Sequence, residues 1–94
     1  MVTKEDVMKA LGQVIDPEIG VPITEMHLVD SVEMTGSDVS ITFHLSMPYC
    51  PPMFALRIAS DIKQVTSALP SVTGVKVKLV NHFMAEQINA QINK

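Results

Sequence analysis

Apolar residues recur along this chain with two periods. Val7, Met8, Leu11, Val14 and Ile15 fall at helical spacing. Thr3 followed three residues later by Asp6 is a capping-box pattern with Asp in the place of Glu. Together they predict a first amphipathic helix that ends by Asp16, because Pro17 disfavours the α region in the residue before it. A loop rich in turn formers and acids follows, DPEIGVPITEMH. LVDSVEM then reads as a strand with imperfect alternation and TGSD as a turn. VSITFHLS alternates cleanly, with Val39, Ile41, Phe43 and Leu45 on one face and Ser40, Thr42, His44 and Ser46 on the other. The two strands read as a hairpin.

Beyond the proline-rich stretch SMPYCPPMF, the residues Phe54, Ile58, Ile62, Val65 and Leu69 mark a second helix that stops before Pro70. SVTG is a turn, and VKVKLV is a third strand with Lys76 and Lys78 outward. Met84, Ile88 and Ile92 mark a short third helix, weakened by the Asn and Gln of the tail. A helix between the second and third strands makes them a crossover pair, hence parallel. The expected fold is an α/β domain of order α-β-β-α-β-α. It has two layers, with a small mixed three-stranded sheet whose helices cover one face. No repeat or internal boundary divides residues 1–94, so one domain is expected.

Composition narrows the classes. At 47% apolar and 18% charged residues the chain is globular in type. Three Phe, one Tyr and no Trp call for an aliphatic core, with the seven Met as filler or as an adaptable surface. A net charge of −3 with no basic cluster weighs against nucleic acid as a partner. The single cysteine excludes an internal disulfide. The opening MVTKED carries no apolar leader, and no apolar run is long enough to span a membrane. The expectation is a cytoplasmic protein with no membrane partner. No Gly-rich phosphate loop, Ser-His-Asp arrangement or paired-His zinc motif is present, so no nucleotide is expected.

That one thiol, Cys50, stands among Pro48, Pro51 and Pro52. Pro51 pushes Cys50 out of the helical region, and Pro52 suits a first helical turn, where its missing N–H costs nothing. Cys50 is thereby expected at or just before the N-cap of the second helix. Free N–H donors are expected there at Met53, Phe54 and Ala55, and they would favour the thiolate. The competing reading is a small buried hydrophobe.

The segments IDPEIGVPITEMHLV, LSMPYCPP and ALPSVTGVKVKLV together resemble the PaaD/SufT-like family of iron–sulfur cluster assembly factors, over roughly residues 5–80. Asp16, Pro17 and Glu18 match its Asp-Pro-Glu motif. Ser46 takes a Thr position of the second motif, whose Pro48, Cys50 and Pro51 match directly. Glu25 stands where the family usually has Asp, and His27 where Gly is usual. The family's tryptophan-containing tail is replaced by NHFMAEQINAQINK. The resemblance implies an iron–sulfur cluster assembly-like fold and a non-enzymatic role in maturing iron–sulfur proteins. It also implies recipient apo-proteins and a P-loop ATPase scaffold as partners. Cys50 is then the central residue, a transient ligand of iron or a cluster or a contact to a client thiol, with Asp16, Glu18, Glu25, His27 and Ser46 in support. One thiolate under-ligates such a cluster, so a homodimer or larger assembly is expected.

Two alternatives stand beside this. Asp16 and Glu18 share a site with Cys50, or Asp16 caps a turn and Glu18 is solvated. His27, His44 and His82 fit no zinc spacing and read as exposed surface residues. The alternative function is a protein-binding adaptor in which Cys50 is structural.

Overall fold

The elements follow the expected order in the computed structural model, which describes residues 2–17, 19–45 and 51–93. They are α1 (Lys4–Leu11), β1 (Val29–Thr35), β2 (Asp38–Phe43), α2 (Pro52–Ser67), β3 (Gly74–Leu79) and α3 (Ala85–Ile92). The sheet order is β1-β2-β3, with β1 antiparallel and β3 parallel to β2. Burial alternates along β2, so Val39, Ile41 and Phe43 face the helices while Ser40 and Thr42 face outward, beside exposed Lys76 and Lys78. Gly36 opens the two-residue hairpin turn at φ +62°, the first-position geometry of a type II′ turn.

The Thr3–Asp6 capping box forms in both directions, and these hydrogen bonds hold the Asp6 carboxyl below its ordinary pKa. The helix it starts is shorter than expected. α1 stops at Leu11, and the chain turns through Gly12 and Gln13 into an extended segment. Ile15 bridges Pro22, the Ile23 N–H donates to Val14, and the Asp16 N–H donates to Val21. Gly12 is a poor helix residue and Pro17 demands an extended Asp16, so pairing across this neck wins over one more helical turn. Val14 is consequently buried while Ile15 is 42% exposed.

In α2 the buried stripe is Ala55, Ile58, Ala59, Ile62 and Thr66. Phe54, Val65 and Leu69, expected on that stripe, flank it half-buried, and Leu69 lies past the Ala68 C-cap. None of the five described methionines is buried, so the core is filled by Ile, Val, Leu and Ala around Phe43, and Met packs at its margin.

α3 does not simply add to the helical layer. Its Asn89 and Asn93 lie along the outer edge of β3. The Leu79 N–H donates to Asn89 Oδ1 (2.7 Å) and the Asn89 amide donates back to the Leu79 carbonyl (3.0 Å). Val77 and Asn93 repeat the pair at 3.0 and 2.7 Å. Residues i and i+4 of a helix thus match i and i−2 of a strand, and two side-chain amides stand in for a fourth strand.

Candidate functional site

The hairpin brings two loops to one end of the sheet. Val29, at the start of β1, pairs with Phe43 at the end of β2, and the His44 N–H donates to the Leu28 carbonyl. The Asp16–Gly20 loop therefore returns, through Ile23–Leu28, beside the point where β2 leaves towards Cys50. The carboxyl ends of the parallel strands β2 and β3 open at this same end, the usual place for a site in an α/β fold.

The loop is closed by its own backbone. The Gly20 N–H donates to the Asp16 carbonyl at 2.7 Å, with Gly20 at φ +78°, and Asp16 is buried in the neck. Pro17 and Ile19 are exposed, Ile19 by 54%. Glu25 and His27 are exposed on the turn that follows. His27 has φ +58°, a left-handed conformation that glycine adopts without strain, so a Gly at this position suits the turn better than His does. His27→Gly is expected to leave the protein equally stable or up to about 1 kcal/mol more stable. The denaturation midpoint at unchanged slope measures this, and a clear loss of stability would show that the His27 side chain makes a stabilising contact that outweighs its backbone strain.

Glu18, Ser46, Pro48 and Cys50 lie outside the described residues. Around them, α2 begins at Pro52 with Pro51 as its N-cap (φ −55°, ψ 137°), so Cys50 immediately precedes the cap in sequence. The donor pattern differs from expectation. The Pro51 carbonyl accepts the N–H groups of Phe54 (3.0 Å) and Ala55 (3.4 Å), which leaves Met53 as the one expected donor that it does not engage. The cap offers an anion less than three free N–H groups would. Met53 itself is 70% exposed.

The structure also assembles a group of residues that sequence reading kept apart. A β-bulge between Val29 and Ser31 makes Asp30 an extra residue, and its carboxylate reaches His44. His44 Nδ1 lies 3.0 Å from both Asp30 oxygens. At 32% and 40% side-chain exposure the pair adds about 1 kcal/mol or less to stability, so its main effect is on the orientation of the ring. His44, Leu45, Asn81, His82 and Phe83 line an open depression of about 460 Å³ at the carboxyl ends of β2 and β3. A recess of similar size, about 490 Å³, lies between α1 and Leu69–Ser71, towards the other end of α2.

His82 is not the exposed loop residue expected. It is 8% exposed, its ring stacks on Phe83 at 4.8 Å, and its Nδ1 accepts the Met84 N–H at 3.0 Å. It lies two residues before the N-cap Met84 of α3, which has no side-chain cap of its own. Phe83 remains 64% exposed. His44 was visible as a polar-face residue, but its partner was hidden because a bulge leaves no mark in composition. Among the described residues no three or more His, Cys, Asp or Glu side chains are grouped to hold a metal, and no helix is long and apolar enough to cross a membrane.

The family model described as "Iron-sulfur cluster assembly protein" matches residues 4–79. An uncharacterized protein of Methanocaldococcus jannaschii is 35% identical, covering 100% of this chain and 98% of its own. The Fe-S protein maturation auxiliary factor YitW of Bacillus subtilis is 38% identical over 82% of this chain and 74% of its own. The crystal structure of a domain of unknown function from Bacillus anthracis superposes with a TM-score of 0.76 at 34% identity, over 82% of this chain and 73% of that one.

Proposed function

Because the chain belongs to the iron–sulfur cluster assembly protein family, we propose that it is an accessory, non-enzymatic factor that helps deliver iron or a preformed cluster to recipient apo-proteins. Cys50 is the residue that meets the cargo, as a transient ligand or as a contact to a client's ligand thiol. The observation that carries this reading is the convergence of loops: the Asp-Pro-Glu loop returns at Leu28, hydrogen-bonded to His44, at the end from which β2 runs on to Cys50. Leu45, which opens the second family motif, follows His44 at that end.

Asp16 or Glu18 beside Cys50 would raise the thiol's pKa by like-charge repulsion unless a cation is bound, so a shared site favours metal over a free thiolate. A single thiolate leaves cluster iron short of ligands. The remainder come from a second copy of this chain, from the client or from a P-loop ATPase scaffold, in a cytoplasmic setting.

Anaerobic reconstitution with iron and sulfide, followed by transfer to an apo-protein, tests the reading. Cys50→Ser is expected to lose most of the transfer while keeping the wild-type fold. The exposure of Ile19, Met53 and Phe83 favours a second reading, an adaptor that docks clients through apolar contacts. Transfer undiminished in Cys50→Ser would select the adaptor.

A further inference from the structure

The helices pack on one face of the sheet and leave the other open. The residues of the open face stand in register. Glu33, Ser40 and Lys76 form one row across β1, β2 and β3, and Ser31, Thr42 and Lys78 form the next. Residues directly opposite in neighbouring strands share a face, so all six point away from the helices. The two outer strands carry exposed side chains here, whereas the middle strand carries only a Ser and a Thr, both half-buried. The face is a flat lane of hydroxyls along β2, with a carboxylate at one margin and two ammonium groups at the other. Among the described residues the ion pairs are His44 with Asp30 and Arg57 with Asp61, so these marginal charges have no ionic partner within the chain.

A second copy of the chain is the partner this pattern fits. Two sheets packed face to face are related by a two-fold axis that runs either along the strands or across them. An axis along β2 puts β1 of each copy over β3 of the other and keeps every residue at its own level. Glu33 of each copy then meets Lys76 of the other, and Ser31 meets Lys78. An axis across the strands puts β3 over β3 and sets lysines against lysines, which is unfavourable. The charges therefore select the first arrangement, an isologous one in which each pair occurs twice. Rotation about an axis along the strands leaves their direction unchanged. Both β2 carboxyl ends, from which the chain continues to Cys50, thus emerge at the same end of the dimer.

We propose that the chain pairs with a second copy through this open face, about an axis along β2, and so brings the two ends that lead to Cys50 side by side. The pairing does not depend on the assembly-factor reading. Only its use does, which is a second thiol for a cargo that one thiolate under-ligates. The contact is small. Three strands of about six residues make a face of roughly 14 by 20 Å. That is well under the ~800 Å² per partner of a stable complex. The dimer is therefore reversible, with a Kd between about 10 µM and 1 mM.

Sedimentation of the full chain across that concentration range is the test. Glu33→Lys alone and Lys76→Glu alone should each weaken association about tenfold or more, because each sets like charges together twice. Mixing the two single variants should restore it, since both pairs in the mixed dimer are again of opposite sign. Carrying both substitutions in one chain should restore it too. In a Cys50→Ser background, a short bismaleimide should link two copies of Ser40→Cys, beside the axis, far more readily than two copies of Ser60→Cys, exposed on α2. A wild type that stays monomeric at about 1 mM, association untouched by either single variant, or a loss that mixing does not restore would overturn the proposal. Cys50→Ser by itself should leave association unchanged whatever it does to cluster transfer, so the interface and the role of Cys50 stand or fall separately.

Discussion

Replacing Asn89 and Asn93 together by alanine is expected to cost roughly 2–4 kcal/mol, from four hydrogen bonds at about 0.5–1 kcal/mol each. For a chain of this length the whole stability is on the order of 5–14 kcal/mol, so the loss is a large share of it. The four bonds serve both polar groups of Val77 and of Leu79 on the outer edge of β3. Ile88 is the one buried residue of α3, so the amides carry much of its attachment, helped by Lys63 Nζ donating to the Ile92 carbonyl at 2.9 Å. A second consequence follows from the edge itself. With α3 loosened, β3 presents a row of unpaired backbone groups, a template for another strand. The double variant should therefore associate in sedimentation at concentrations where the wild type shows no such increase. Asn89→Asp keeps the shape but sets an oxygen against the Leu79 carbonyl, and should cost more than Asn89→Ala. Equal midpoints for the double variant and the wild type would show that α3 is held by packing alone.

Those asparagines illustrate what sequence could and could not carry. In a tail of Asn and Gln they read as weak helix formers, which is correct as propensity and silent about a strand edge one turn away. The element order, the capping box at Thr3, the start of α2 at Pro52 and the parallel pairing of β2 with β3 were legible, because each depends on local chemistry or on a connection length. The end of α1 was not. Val14 is apolar and buried in either a helix or an extended neck, and the choice was made by pairing with Pro22 and Ile23, residues that a periodicity cannot see. The candidate site divides the same way. That the chain before β1 returns beside the end of β2 followed from antiparallel connection, whereas the Asp30–His44 pair needed a one-residue bulge and the burial of His82 needed the packing just ahead of α3.

Phe43→Ala should be the most damaging single change, at about 3–5 kcal/mol, or a fall in Tm on the order of 15 °C or more for a domain of this size. Phe43 is fully buried and is where the three strands meet: it pairs with Val29 of β1 and Leu79 of β3, and its carbonyl accepts the Val80 N–H at 3.0 Å. Truncation leaves a cavity in the core cluster that Phe43 shares with Ala55, Ile58, Ala59 and Ile62 of α2. The alanines cannot reach in to fill it, so little of the lost contact is recovered. The effect on the site is as informative as the effect on stability. His44 follows Phe43 directly; its backbone N–H donates to the Leu28 carbonyl and its ring Nδ1 meets Asp30. Phe43→Leu fills most of the volume and should lose much less stability than Phe43→Ala. If the core ring also sets the frame on which the loops converge, Phe43→Leu will still shift the imidazole resonances of His44 and His82 while leaving that of His27 in place. Unchanged His44 and His82 signals in a folded Phe43→Leu protein would show that the ends of β2 and β3 hold their geometry without it.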